Sequence, residues 1–442
     1  MTSKALLITT VAGVLVATVH GQSNQAVLDL LLRKGLISTQ DVQEIKAKLD
    51  EDLERAVAQH TKTKVAAWVD QMSFYGDLRL RLDEISYEES LQKSDRLRFR
   101  VRLRLGLDWK LTDWATVGAR LGSGEGYPVA NFQTFTDTFR KKPLYIDAAY
   151  VTLKLPEQDW IRVTAGKMNN PIWQPSFNSP MIYDADVTPE GIAEQLSVKF
   201  GDQQQHRFFA NFGQFAVKEF ASDADDVYLF DLEAGAELKT ARLKLTAAGG
   251  YFFTHNLSNP NYKVGDSFTL GNATVVSSPG VTNYFADFQT AYVRGEAVWA
   301  LTDKPFLGAP ATLTLDGEYL KNLASAYKNV PGSPDQTEGW SVQLAFGQAQ
   351  KKGQWQLAYQ YKYLQADAVW DAIGDSEYGL GGTDRKGHII RAIYNLQDWW
   401  QIILTSSITQ KISNRPNATA HNQQGIPGES MLRLALDTQF RF

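Results

Sequence analysis

The sequence predicts an all-β transmembrane fold, an up-and-down antiparallel barrel of about sixteen strands behind a short N-terminal helical segment. Three observations predict it. The chain opens with an export signal. From about Ser73 to Phe442 its hydrophobic period is two residues. Short turns alternate with long links along that stretch, which is the spacing of bacterial outer-membrane barrels.

The export signal comes first. Lys4 supplies a positive start, Ala5 to Val19 form an apolar run, and Val19-His20-Gly21 offers a cleavage site after Gly21. The run is too short to span a bilayer as a helix, and no run of 18 apolar residues follows it, so a helical membrane protein is excluded. A barrel is compatible with the mean hydropathy of −0.30, because alternating strands average out as hydrophilic. The chain has no cysteine, which removes lipoprotein anchoring, disulfides and thiolate metal sites. Its six histidines are scattered, and Asp223, Asp225 and Asp226 lack calcium-loop spacing and read as a solvated tip. No metal and no cofactor are therefore expected. A net charge of −4 argues against nucleic acid as a partner.

Residues 22–72 read as a periplasmic helical or coiled-coil segment. Val27, Leu28, Leu31 and Leu32 form one apolar stripe that Gly35 ends. Ser38 is placed to cap a second helix, with Asp41 three residues on. Val42, Ile45, Leu49 and Leu53 then continue at spacings of three and four. A solvated helical pair is the plainer reading; a periplasmic spacer or trimerisation stalk is the sharper one.

The barrel is assigned to residues 73–442, with strands beginning near 74, 95, 114, 144, 160, 193, 206, 227, 241, 285, 311, 338, 353, 387, 399 and 431. Trp355, Leu357, Tyr359, Tyr361 and Tyr363 share one face, opposite Gln354, Gln356, Gln360 and Lys362. Leu432, Leu434, Leu436, Phe440 and Phe442 likewise oppose Arg433, Asp437, Gln439 and Arg441. Short turns such as 110–113, 156–159 and 397–398 alternate with long links near 122–143, 169–192, 255–284, 323–337, 367–386 and 411–430. Trp109, Trp114, Trp160, Trp299, Trp355, Trp399 and Trp400 cluster at the short-turn ends, as an interfacial girdle would. The terminal Phe442 on an alternating strand resembles the signal read by barrel-assembly machinery.

One segment carries the chemistry. Arg96, Arg98, Arg100, Arg102 and Arg104 alternate with aliphatic and aromatic residues, and Arg79 and Arg81 do the same on the neighbouring strand. Alternation sends each set to one side of the wall. Facing lipid near the midplane, each arginine would cost roughly 2–4 kcal/mol. The arginines are therefore expected to line the lumen, with Arg120, Arg162 and Lys167 extending the row. Two readings stay open: an electropositive track for anions or acidic sugars, or merely the polar lining that any aqueous lumen needs. Asp231, Glu233 and Glu237, with Asp316 and Glu318, place acid on other strands, so opposed walls would set up a transverse field. The link from Met168 to Ile192 holds four prolines and the acids Asp184, Asp186 and Glu190. At the third external position it is a candidate to fold inward and narrow the pore.

Longer runs carry a resemblance. Ala165 to Trp173 (AGKMNNPIW) and Tyr183 to Gly191 (YDADVTPEG), with Asp147 to Tyr150 and Gly382 to Gly387, are similar to the bacterial outer-membrane family called putative porins. The likeness covers nearly all of the mature chain. It implies an outer-membrane barrel and names no solute and no pore residue. The expectation is a non-enzymatic channel for passive diffusion of small polar or anionic solutes in the bacterial outer membrane. Its partners are membrane lipid, the assembly machinery and the solutes, with a homotrimer left open. The rivals are a closed barrel serving as an adhesive or structural anchor and, least favoured, a barrel enzyme, for which no Gly-x-Ser-x-Gly stretch is present.

Overall fold

A computed structural model describes residues 30–38, 40–48, 51, 69–88, 94–221, 224–263, 271–279, 281–332, 334–414 and 428–442. The export signal, its cleavage point, Leu49, Leu53 and Asp223 lie outside the described residues. The chain divides into two compact units, Met1–Met72 and Ser73–Phe442.

In the first unit, a helical turn over 30–33 stops at Gly35, whose φ of 67° suits a residue without a Cβ. The amide of Leu36 donates to the Leu31 carbonyl (3.1 Å) and that of Gly35 to Leu32 (3.0 Å), which closes the helix end. Ser38 then caps the helix over 40–48: the Asp41 amide donates to Ser38 Oγ (3.2 Å) and the Ser38 amide to Asp41 Oδ2 (2.7 Å). Ile37 and Ile45 are buried together against Leu31, Leu32 and Val42.

The second unit is a closed barrel of sixteen antiparallel strands. In chain order the strands are β1 (Met72–Tyr87), β2 (Arg96–Lys110), β3 (Ala115–Ser123), β4 (Gln133–Thr134), β5 (Leu144–Leu155), β6 (Gln158–Lys167) and β7 (Glu190–Phe200). They continue with β8 (His206–Lys218), β9 (Val227–Lys239), β10 (Leu243–His255), β11 (Thr274–Ser278), β12 (Val281–Tyr284) and β13 (Gln289–Ala300). The last are β14 (Thr312–Asn322), β15 (Glu338–Gly347), β16 (Trp355–Leu364), β17 (Arg385–Gln397), β18 (Trp400–Lys411) and β19 (Ser430–Arg441). Three short strands stand outside the wall count: β4 adds two pairs to the edge of β2, and β11 and β12 form a hairpin inside a loop. β1 closes on β19 from Asp77 opposite Arg441 to Tyr87 opposite Met431. Beyond that register, the Gly76 amide donates to the Phe442 carbonyl (2.8 Å) and the Phe442 amide to Gly76 (3.1 Å). Closure removes the free edges, as a lipid-exposed sheet requires.

Alternation sorts the wall. On β2, Leu97, Phe99 and Leu105 are exposed on the outer face, while Arg102 is buried within. Outer-face Trp109, Trp114, Trp299, Trp355, Trp399 and Trp400 mark the short-turn ends, Trp399 and Trp400 stacking with Phe440. Trp160 instead borders an interior cavity described below.

The lumen is less open than its polar strand faces suggest. Described residues of the loops that follow β6, β10, β14 and β16 fold inward and bury a shared apolar core. Met181, Ile182, Tyr183, Phe252, Phe288, Tyr327 and Trp370 are among its members.

Candidate pore constriction

The most highly charged stretch of wall is formed by β1, β2 and β19. Arg79, Arg81, Arg98, Arg100, Arg102 and Arg104 all lie on its inner face, but carboxylates are interleaved with them. Arg79 pairs with Asp437 (2.7 Å), and Arg81 with Asp437 (2.6 Å) and Glu377 (2.6 Å). Arg98 pairs with Asp83 at 2.7 Å, and Arg100 reaches the same carboxylate only at 3.9 Å. Arg102 and Arg104 share Asp77, at 2.8 Å and 2.6 Å. Arg433, which the sequence placed on the polar face of β19 without a role, holds Asp83 at 2.8 Å and donates to the Glu377 carbonyl at 2.6 Å. Arg96 at the strand end is exposed. The row is thus a laced ladder of ion pairs, in contrast to a bare positive track.

A single ring organises its middle. Phe132, buried on the loop between β3 and β5, lies 4.3 Å from the Arg81 guanidinium, 5.0 Å from Arg100 and 5.5 Å from both Arg79 and Arg102. The π face attracts each cation and so offsets part of the repulsion among them. No period in the sequence marks Phe132, because a loop residue carries no alternation.

The loop after β6 faces this wall. Its backbone is held from behind by inward side chains of the far strands. The Trp173 amide donates to Glu233 (2.9 Å), the Ser176 hydroxyl to Glu296 (2.8 Å), the Asn178 amide to Gln343 (2.7 Å) and the Ser179 amide to Gln360 (2.8 Å). Lys362 donates to the Pro180 carbonyl (2.6 Å), Arg294 to that of Trp173 (2.6 Å), and the Tyr183 hydroxyl to Asp231 (2.9 Å). The acids Asp231, Glu233 and Asp316 thus anchor a loop rather than form an open negative wall, while Glu237 pairs with Arg207 at 3.4 Å.

Held in this way, the loop brings Asp186 to the ladder, while Asp184 turns to the backbone of its own loop and of loop 365–384. Asp186 Oδ1 stands 3.4 Å from Arg102 and 3.5 Å from Arg104. Asp184 is buried and accepts the amides of Ser376 (2.7 Å) and Asp186 (2.8 Å). Burial, with the charges of Asp186 and Asp375 beside it, pushes its carboxyl well above the usual range. Burial acts the same way on Glu377, yet the charges of Arg81, Arg79 and Arg433 outweigh it and hold that carboxyl well below its ordinary value. Loop 365–384 therefore contributes Asp375 and Glu377 to the same acidic edge, a contribution the sequence did not reveal.

The placement of Glu190 overturns one sequence expectation, and those of Arg120 and Arg162 qualify another. Glu190 is the first residue of β7 and pairs with Lys167 (2.9 Å) on the outer face shared with Ile192, so neither residue joins the constriction. Arg120 does face inward, but a bulge opposite Arg120 and Leu121 turns Asp147 onto its guanidinium. Arg162 faces a separate cavity on the short-turn side.

A closed sixteen-stranded barrel with in-folded external loops defines the class of outer-membrane porin barrels. The sequence matches the family described as putative porin over residues 91–263 and 297–423, and the chain belongs to that family. Its place is the bacterial outer membrane. Among solved structures, OprB of Pseudomonas putida is similar with a TM-score of 0.51 at 10% identity, over 86% of this chain and 96% of that one. OmpT of Vibrio cholerae in its trimer form gives 0.46 at 15% identity, over 84% and 99%. A mutant of the Rh. blastica porin gives 0.42 at 11%, over 84% and 100%. At such identities the likeness bears on the fold alone. No curated protein matches the sequence.

Proposed function

We propose that the chain is a non-enzymatic channel through which small polar and anionic solutes diffuse passively. The observation that carries this reading is the charged inner wall of the barrel, an arginine ladder that Asp186 and Glu377 of two in-folded loops reach directly. Solutes that pass beside the ladder do so within the range of about 8–10 Å over which charges act at physiological salt. The filter is then size together with a transverse field, and no bond is made or broken. Because the ladder is laced with Asp77, Asp83 and Asp437, its preference for anions is mild. Arg100, with its nearest carboxylate at 3.9 Å, and Arg96 contribute most of the uncompensated charge. Copies of the chain associate as the homotrimer left open by the sequence.

Single-channel recording in planar bilayers tests the reading. Purified chain should give stable conductance steps, and a salt gradient should give a reversal potential of anion preference that fades as salt rises. No conductance steps would favour the closed-barrel anchor.

A further inference from the structure

Beneath the first stretch of the in-folded loop, on the short-turn side, lies a cavity of about 980 Å³ between residues 170–174 and the wall of β5–β8. That size is at the upper end for small-ligand sites, roughly 300–1,000 Å³. Its lining combines three chemistries. The first is cationic. Lys154 stands opposite Arg162 across β5–β6, and Lys199 opposite Arg207 across β7–β8, all four bordering the same space. Arg207 is paired with Glu237, whereas Lys154, Arg162 and Lys199 have no ion pair among the described residues. Glu157 and Asp159 at the adjoining turn are the acids bordering the cavity. The second is aromatic. Trp173 of the loop meets Phe209 edge to face at 6.1 Å, with the Arg207 guanidinium 5.0 Å from the Phe209 ring. The third is amide. Gln195 is fixed by donating to the Pro171 carbonyl (3.0 Å), and Asn211 by donating to Glu233 (2.8 Å).

Each feature excludes a simpler occupant. Cations alone would serve any small anion, and chloride or acetate gains nothing from ring faces and fixed amides. Aromatics and amides alone would serve a neutral sugar, which gains nothing from three unpaired cations. We propose that this cavity binds an anionic sugar. Its carboxylate is held by Arg162 with Lys154 and Lys199, its apolar ring face lies on Trp173, and its hydroxyls meet Gln195 and Asn211. The proposal rests on the diffusion-channel reading only in placing the site along a conducting path.

The test uses the full chain and three probes: glucuronate, glucose and acetate. In planar bilayers, glucuronate should interrupt the current where equal concentrations of glucose and acetate do not, and more strongly when added on the short-turn side. R162Q should weaken the block about tenfold, the size of one lost charge-assisted contact, with R162K retaining part of it. W173A should weaken glucuronate block, with W173F retaining part of it. Calorimetry on detergent-solubilised chain should give the same ranking of probes and variants. Equal responses to acetate and glucuronate would overturn the sugar site in favour of a plain basic vestibule, and equal responses to glucose would overturn its anionic character. Conductance without glucuronate binding would refute this site alone. Arg162-dependent binding in a chain that does not conduct would refute the channel reading and leave the site standing.

Discussion

Replacing Asp186 with asparagine should make the channel more anion-selective without disturbing the barrel. Asp186 lies 3.4 Å from Arg102 and 3.5 Å from Arg104, and both guanidiniums keep Asp77 as a second partner, so the wall stays folded when the loop charge is lost. The magnitude follows from Coulomb's law. A unit charge about 8 Å from a passing ion in a water-filled passage is worth about 0.5 kcal/mol before screening. At 0.01 M salt, with a screening length near 30 Å, about 0.4 kcal/mol survives; at physiological salt, with a length near 8 Å, about 0.2 kcal/mol. The lost charge helps anions and hinders cations by the same amount. The anion-to-cation permeability ratio should therefore rise about fourfold at 0.01 M and about twofold at 0.15 M, and barely change at 1 M. Reversal potentials of D186N and wild type, measured in salt gradients at these three levels, check this. An unchanged potential at low salt would place the ion path out of reach of Asp186 and refute the constriction. A shift that did not depend on salt would mean that the loop had moved.

Three further outcomes follow from the same geometry. Deleting Phe442 removes the two backbone hydrogen bonds to Gly76 at the β1–β19 seam, worth about 2 kcal/mol together at roughly 1 kcal/mol each; the heat-modifiable barrel on gels should decrease, and unaltered insertion would count against the seam. Glu377 has a carboxyl pKa depressed in the fold, so its stabilisation is present above the ordinary glutamate value of 4.5 and is lost as pH falls below it. E377Q should therefore unfold at lower temperature than wild type at pH 7 and draw level with it in acid; a gap independent of pH would show that the ion pair to Arg81 is not its source. A chain starting at Ser73 should refold in detergent and conduct, because the contact pattern separates Met1–Met72 from the rest; loss of folding would make the helices a brace, and loss of trimers alone would make them a stalk.

Strand order, strand starts, the facing of the ladder and the cap at Ser38 and Asp41 were all legible in the sequence, because each depends on neighbours no more than a few residues away. A residue on a strand has its face fixed by parity, and lipid makes one parity prohibitive for arginine. Even the lacing of the ladder could have been read, since Asp77, Arg79, Arg81 and Asp83 share one parity on β1. Parity fails where a bulge inserts a residue, as at Asp147, or where a strand begins earlier than its pattern suggests, as at Glu190.

By itself, then, the sequence determined a barrel of sixteen strands and which side chains look inward. Only the tertiary structure decided what they meet there. Phe132 against four arginines, Glu377 on Arg81, Asp186 between Arg102 and Arg104, and the far-strand acids taken up in anchoring a loop are contacts between segments tens to hundreds of residues apart. Loops carry no hydrophobic period, so nothing local states where they fold. Their positions are set by the hydrogen bonds and apolar burial available only once the barrel has closed.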